Sequence, residues 1–359
     1  MRRRPKGPKP SPAAFEAAYW RRRPKGPKPS PAAALAASLG WVVCDDRAVA
    51  ERRIPKPRRP VRDPSRLRRI DRDVNEAIAR HSAAGFIFEA GGTSSFARQS
   101  GEGADVVLLH GVPTSSFLYR KMLPELADQG LRATAFDFPG LGLAGRPEEF
   151  DYSWSGLARW TGEAMDALEL DRVHLVVHDI GGPIGFEWAI RNPDRVLSLT
   201  VLNTLIDVAS FSRPWPMAPF AVRGLGTVWL RASPRFLFSE IFYGLGIAER
   251  SLVPRSDIYA HVALVRLRDR GRAFLRIMRG FELTEEKQRF FHEGLAERSY
   301  PARVVWGELD PALGLGELES CRRALGLSDA IMLPAKHFLQ EDHAAEVSQA
   351  VADLAAPLG

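Results

Sequence analysis

The chain has 359 residues, of which 45% are hydrophobic, and a formal net charge of +7. This length suits one large α/β domain with an insertion, or two modest domains. No run approaches the roughly 18 consecutive apolar residues of a membrane span. The two cysteines, Cys44 and Cys321, form no metal-ligand pattern and suggest no disulfide framework. With no apolar secretory signal, this composition predicts a cytoplasmic protein.

The positive charge is concentrated at the N-terminus. Residues 1–75 contain 21 lysines and arginines against 7 acidic residues, whereas the remainder contains 29 basic and 36 acidic residues. The body of the chain is therefore mildly acidic, and no nucleic-acid groove is expected in its folded part.

The N-terminal extension contains an internal repeat. Residues 2–14 recur identically at 21–33, and both copies are rich in proline, arginine and lysine. Prolines remove backbone donors, and few apolar groups are available to bury. We therefore expect residues 1–75 to be a disordered basic extension that becomes helical near 70–80. A tail that contacts membrane or nucleic acid is the functional alternative.

From residue 86 onward the pattern alternates between strands and helices. Strands are predicted at 86–89, 95–99, 106–110, 133–138, 173–178, 197–202, 303–306 and 331–333, and helices at 117–126, 154–168, 183–191 and 344–354. Gly91-Gly92 between the first two strands predicts a hairpin. Continuous apolar runs such as 106–110 are typical of parallel strands buried on both faces. The sequence thus predicts an α/β fold with a mainly parallel sheet covered by helices on both faces.

One long segment interrupts this alternation. Residues 206–298 are rich in aromatic residues, arginine and leucine, and are predicted to form a helical cap. The cap divides the folded part into a first core section at 76–205 and a second at 299–359. An insertion at this point would lie over the carboxyl ends of the strands, where open α/β sheets bind ligands.

Two strand-to-helix turns carry candidate catalytic groups. His178-Asp179-Ile180-Gly181 follows a buried strand and resembles the nucleophile elbow of the α/β-hydrolase fold, with Asp179 at the nucleophile position. Taken alone, Asp179 could equally be a helix N-cap. The loop after the strand at 106–110 would supply the amide of Val112, which together with the amide of Ile180 is expected to bind a developing oxyanion.

The remaining triad members follow two late strands. Asp310 comes after the strand at 303–306, and His337 follows the strand at 331–333. The order nucleophile, acid, histidine is the order that this fold uses. Histidine can take a proton from water near neutral pH, and a buried carboxylate holds its tautomer. Because all the elements occur in order, we expect an Asp179–His337–Asp310 triad.

At these residues the chain resembles haloalkane dehalogenases of the α/β-hydrolase superfamily and, more distantly, epoxide hydrolases. The matching motifs are HGVPTSS at 110–116, FDFPGLG at 136–142, HDIGG at 178–182, WGELDP at 306–311 and HFLQED at 337–342. They span roughly residues 86–355. The resemblance implies an aspartate that displaces halide from a saturated carbon, an alkyl-enzyme ester, and its hydrolysis by histidine-activated water.

Two positions depart from the dehalogenase pattern. Members that resemble this chain usually carry tryptophan after the nucleophile and asparagine in the His-Gly-x-Pro loop, as halide donors. Ile180 and Val112 occupy these positions here. Trp215 and Trp229 of the cap are the candidate substitutes for these donors, with core packing as the more common role of tryptophan. The epoxide hydrolase alternative requires a cap acid, for which Tyr243 and Tyr259 are the candidates.

The sequence therefore predicts a hydrolase that acts on a small, mostly apolar substrate with water, without metal or organic cofactor. Epoxide hydrolysis and a non-catalytic hydrolase-fold binding protein stay open as alternatives. The oligomeric state is not predicted.

Overall fold

The computed structural model describes residues 64–356 of the chain. The sequence-based expectations for the repeat at 2–14 and 21–33, and for the rest of residues 1–63, lie outside the described residues.

The first described element is helix α1, Pro64–Ala83. It begins within the segment that was expected to be a disordered extension up to residue 75, so that boundary is corrected to residue 64. The reason is one apolar stripe: Val74 and Ala77 are buried against Phe117 and Leu264. Full burial of a valine side chain contributes about 1.5–3 kcal/mol to the free energy of folding, which favours an ordered helix over a solvated tail.

The core of the fold is a single eight-stranded sheet. Its strands are β1 (Phe86–Ala90), β2 (Thr93–Ser100), β3 (Ala104–Leu109), β4 (Leu131–Phe136), β5 (Val173–Asp179), β6 (Val196–Thr204), β7 (Ala302–Gly307) and β8 (Ile331–Leu333). They lie in the order β1-β2-β4-β3-β5-β6-β7-β8. Strand β2 pairs antiparallel with β1 and with β4, and all other pairs are parallel. The predicted hairpin is confirmed, since Ala90 pairs with Thr93 across Gly91 and Gly92.

Helices cover both faces of the sheet. The helices outside the insertion are α1, α2 (Met122–Asp128), α3 (Trp154–Ala167), α4 (Gly181–Arg191), α10 (Leu315–Ala324), α11 (Leu339–Asp342) and α12 (Ala344–Ala355). Successive residues of a strand point to opposite faces. In β3, Val107 and Leu109 accordingly join one core cluster with α3 and α4, whereas Val106 and Leu108 join the other with α2 and α12. This is the α/β-hydrolase architecture that the sequence predicted.

The helix predicted at 117–126 is divided in two. A short 3₁₀ helix spans Ser116–Tyr119, and α2 starts only at Met122. Between them, the Arg120 side chain turns toward Glu341 and Asp257, which lie far along the chain. Helical spacing in the sequence could not reveal this break, because its partners are long-range.

The insertion between β6 and β7 is helical, as expected. It contains 3₁₀ turns at Val208–Ser210 and Ala218–Ala221 and the helices α5 (Leu225–Ala232), α6 (Arg235–Gly246), α7 (Arg255–Arg266), α8 (Arg272–Arg279) and α9 (Glu285–Ala296). Helix α9 belongs with the core, since it packs on α4 and α10, with Phe291 against Phe186. It also packs on the 3₁₀ turn Val208–Ser210 of the insertion, so α9 joins the insertion to the core. None of the described helices is long and apolar enough to cross a membrane.

Candidate active site

Asp179 lies in a sharp turn at the end of β5. Its backbone has φ of +51°, a left-handed conformation that few non-glycine residues adopt and that aspartate tolerates better than most. Close packing explains the glycines around it: a Cβ at Gly111 would collide with the Asp179 side chain, and one at Gly181 with the Leu109 carbonyl oxygen. Val177, where the motif has a small residue, is accommodated in the core cluster.

The two carboxylate oxygens of Asp179 have different neighbours. Oδ1 accepts a hydrogen bond from the Val112 amide at 2.7 Å. Oδ2 faces Nε2 of His337 at 3.6 Å. The amide of Ile180, the second predicted oxyanion donor, is next along the chain at the start of α4. The turn thus leaves one oxygen held by backbone and the other directed at the histidine.

His337 is held by a carboxylate on its far side. Its Nδ1 donates to Oδ2 of Asp310 at 2.8 Å. Oδ1 of Asp310 accepts from the amides of Ala312 and Leu313, at 2.7 and 3.1 Å. Asn203, at the end of β6, donates from its amide nitrogen to the same Oδ2 at 2.8 Å. Three donors besides His337 therefore hold the Asp310 carboxylate, and the carboxylate in turn holds the imidazole.

These contacts shift the proton affinities of the three groups. Burial alone lowers the pKa of His337, but the Asp310 and Asp179 carboxylates raise it to about 10. Burial alone raises the pKa of Asp179, but the hydrogen bond and charge of His337 bring it below the ordinary value. The pKa of Asp310 is lowered in the same way, against its burial. At neutral pH the site therefore holds an imidazolium between two carboxylates.

Two further histidines support the site without titrating near neutrality. Nε2 of His178 donates to the main-chain carbonyl of His337 at 2.8 Å, and burial lowers the His178 pKa to about 3. His110 accepts from the Phe138 amide and bonds the Gly111 carbonyl, with a pKa lowered by burial to about 4. Both are neutral and position backbone groups near the site.

A mostly apolar cavity opens over Asp179 and His337. Its empty volume is about 770 Å³, solvent-open space at the mouth included. Val112 and Ile180 line it beside the triad. Its apolar wall includes Leu205, Phe211, Phe238, Phe242, Phe281 and Leu313. Arg213, from the first cap segment, is also part of the lining. The site can thus hold a small apolar molecule against the Asp179 carboxylate.

None of the four predicted cap residues lines this cavity. Trp215 is 65% exposed, and Trp229 donates its indole N–H to the Pro216 carbonyl. The Tyr243 hydroxyl donates to main-chain carbonyls, and that of Tyr259 donates to Glu240. The structure therefore does not bring these four candidates into the cavity, because the sequence does not tell which cap side chains face inward.

A buried ionic network lies directly behind the histidine loop. Both terminal nitrogens of Arg120 donate hydrogen bonds to Glu341, at 2.6 and 2.7 Å. One of them also donates to Asp257 of α7 at 2.6 Å. His261 of α7 bonds Glu341 at 2.9 Å. Burial would raise the pKa of Glu341, but Arg120 holds it well below its usual range. The network ties the cap helix α7 to α11, which follows His337.

Sequence reasoning missed Asn203, Arg213 and this network. Asn203 had a usable signal, since it directly follows the strand predicted at 197–202, at the same sheet edge as Asp179 and Asp310. Arg213 and Arg120 had none, because their partners are set only by the tertiary packing of the cap. In residues 64–356 no group of three or more His, Cys, Asp or Glu side chains is placed to hold a metal ion.

Comparison with known proteins identifies the family of the chain. A family model described as alpha/beta hydrolase fold matches residues 106–344. The chain is 32% identical over 267 residues to haloalkane dehalogenase 2 of Mycobacterium bovis. The matched region covers 70% of this chain and 87% of that protein.

Solved structures of two kinds share the fold. The haloalkane dehalogenase DbeA-M1 loop variant from Bradyrhizobium elkanii superimposes with a TM-score of 0.63, at 21% identity, over 76% of this chain and 97% of that one. The epoxide hydrolase CorEH superimposes with a TM-score of 0.65, at 21% identity, over 77% of this chain and 99% of that one.

Proposed function

The chain belongs to the α/β-hydrolase fold family and is a hydrolase, and from that premise we propose that Asp179 is its nucleophile, His337 its general base and Asp310 the residue that orients the base. One observation carries the proposal: the Asp179 carboxylate lies between the Val112 amide and a histidine that is itself bonded to a buried carboxylate. An ordinary N-cap aspartate needs neither partner.

The first step is displacement at a saturated carbon. Because Oδ1 is held by the Val112 amide, Oδ2 is the oxygen free to attack. Oδ2 forms a bond to the substrate carbon, and the leaving group departs with the bonding electron pair, as halide from a haloalkane. An ester between Asp179 and the alkyl group results. The apolar wall of the cavity supports a small, mostly apolar substrate.

The second step hydrolyses that ester. Water attacks the carbonyl carbon of Asp179 while Nε2 of His337 takes its proton. The oxyanion forms on Oδ1, within reach of the Val112 amide, with the Ile180 amide as its second donor. Collapse breaks the bond between the carbonyl carbon and the alkyl oxygen, and the proton of the added hydroxyl passes to that oxygen. The alcohol leaves, the carboxylate is restored, and the proton taken by His337 is lost to solvent.

Charge explains why His337 can serve as a base. In the free enzyme, the Asp179 carboxylate helps to raise the His337 pKa to about 10. Alkylation of Asp179 removes that negative charge, so the imidazolium loses one of its two stabilising partners. The His337 pKa then falls, and the neutral base forms in the intermediate that needs it.

Epoxide opening is less well supported. It requires an acid that protonates the departing oxygen, and the two candidate tyrosines, Tyr243 and Tyr259, have hydroxyls bonded elsewhere and do not line the cavity. The candidate halide donors Trp215 and Trp229 do not line the cavity either, so it is the similarity to haloalkane dehalogenases, 32% identity over 267 residues, that places displacement of halide first in this proposal.

Trapping the intermediate tests the proposal. In His337→Gln, a bromoalkane should alkylate Asp179 without subsequent hydrolysis. Intact mass spectrometry should show one added alkyl group, and peptide mapping should place it on Asp179. His292→Gln, which changes a histidine of α9 outside the cavity, is the matched control and should turn over without accumulating adduct.

A substrate panel then defines the reaction. Haloalkanes, epoxides and esters would be scored with wild-type enzyme for halide, diol and acid. The proposal predicts halide release that is abolished in Asp179→Ala, with the fold verified by circular dichroism. Two outcomes would show that the ester mechanism is wrong. One is retained activity in Asp179→Ala, and the other is the absence of an adduct on His337→Gln after treatment with a compound that the wild type turns over.

A further inference from the structure

Arg213 is a cationic side chain in an otherwise apolar part of the cavity wall. It lies in the first cap segment, just before Pro214, and lines the same cavity as Asp179 and His337. One terminal nitrogen donates to the Met278 carbonyl at 3.1 Å, and the guanidinium carbon lies 4.6 Å from the centre of the Phe281 ring. The side chain is therefore held in place against the wall.

The protein does not neutralise this charge. Within residues 64–356, no carboxylate oxygen lies within 4.0 Å of the Arg213 guanidinium. Its Nε is buried and has no hydrogen-bond partner among the described residues. The neighbouring Glu282 is engaged elsewhere, with Ser155 and Lys287. Burial is the cause that lowers the Arg213 pKa, with no charged partner to oppose it.

The other charged groups at the cavity pair with one another. His337 lies between Asp179 and Asp310, so Arg213 is the one charged side chain of the cavity lining that has no charged partner among the described residues. A desolvated charge without a partner is costly, whereas a guanidinium binds a carboxylate through two parallel hydrogen bonds. The other terminal nitrogen, Nη1, has no hydrogen-bond partner among the described residues and offers such a donor.

We propose that Arg213 forms an anion subsite that binds a carboxylate carried by the substrate, so that the preferred substrate is an apolar chain with a leaving group at one end and a carboxylate at the other. This inference rests on the proposed function for the reacting end. It goes beyond that function by assigning the non-reacting end of the substrate.

The leaving halide is the other anion that the subsite could receive. A halide exists only after the displacement, so a neutral substrate would cover the half-buried guanidinium without supplying an anion to it. A substrate carboxylate compensates the charge from binding to product release. The planar fork of arginine also matches a carboxylate better than a spherical ion.

Steady-state kinetics with two isosteric substrates test the subsite. Wild-type enzyme should use ω-bromohexanoate with a lower KM than ω-bromohexanamide. Arg213→Met should raise the KM for the carboxylate roughly ten- to hundredfold, as expected for loss of hydrogen bonds to a charged group, and leave the amide nearly unchanged. Arg213→Lys should keep part of the preference. Arg223→Met, which removes an exposed cap arginine outside the cavity, should change the KM of neither substrate.

Two kinetic outcomes overturn the inference. Equal KM values for carboxylate and amide in the wild type would show that no carboxylate is bound. If Arg213→Met instead lowered kcat for both substrates alike, Arg213 would act on the departing bromide.

A binding experiment keeps the inference independent of the chemistry. Calorimetry with unreactive hexanoate and hexanamide should show tighter binding of hexanoate to the wild type, with the difference lost in Arg213→Met. If neither bromo compound reacts but this difference is present, the displacement mechanism fails and the subsite stands. If hexanoate binds no better than hexanamide, the subsite fails whatever the kinetics show.

Discussion

Removal of the Asp179 charge should lower the pKa of His337 by about three units. The two groups lie 3.6 Å apart. At that distance, two unit charges in a medium of effective dielectric constant about 20 interact by about 4.5 kcal/mol, or roughly three pKa units. The His337 pKa of about 10 in the free enzyme should therefore approach about 7 in Asp179→Asn and Asp179→Ala, both of which lack the charge as the ester does.

Nuclear magnetic resonance of histidine-labelled protein measures this shift directly. The chain has eight histidines, and the His337 signal is assigned as the one absent from His337→Gln. Asp207→Asn, an identical change at a carboxylate outside the cavity, should leave the His337 titration in place. A decrease of less than one unit in both Asp179 variants would refute the reasoning, and would mean that Asp310 alone sets the basicity of His337.

Three other predictions concern the supports of the site. Asn203→Leu removes a donor to the triad acid and should lower kcat about tenfold or more with little change in KM; an unchanged kcat would contradict a positioning role. Glu341→Gln should lower the free energy of unfolding by about 3 kcal/mol, measured by denaturant titration, because Arg120 loses a buried partner; a change below about 1 kcal/mol would contradict this. Deletion of residues 1–63 should leave activity and Tm intact, whereas deletion of 1–83 should lower Tm because it removes α1; equal Tm values would contradict the packing of that helix.

The sheet was predictable because several of its strands are continuous apolar runs in the sequence. Parallel strands buried on both faces leave little room for polar residues, so β3 and β5 stand out against their surroundings. The hairpin between β1 and β2 was predictable for a different reason, since Gly91-Gly92 favours a two-residue turn. Helix boundaries at α1 and α9 were not predictable, because they depend on which neighbour each helix packs against.

The triad could be proposed from the sequence because each member follows its own strand. The carboxyl ends of parallel strands meet at one sheet edge, so Asp179, Asp310 and His337 were expected together. The cap offered no such rule. A cap helix has aromatic residues on several faces, and only the packed fold tells that Phe238 and Phe242 look inward while Trp215 faces solvent.

The ionic network behind His337 has a consequence for how caps can be exchanged between relatives. Asp257 and His261 belong to the cap, whereas Arg120 and Glu341 belong to the core. A transplanted cap that lacks these two side chains would leave a buried arginine and glutamate with fewer partners beside the His337 loop. The cap of this enzyme is therefore not an interchangeable module, and a working chimera must carry all four residues together.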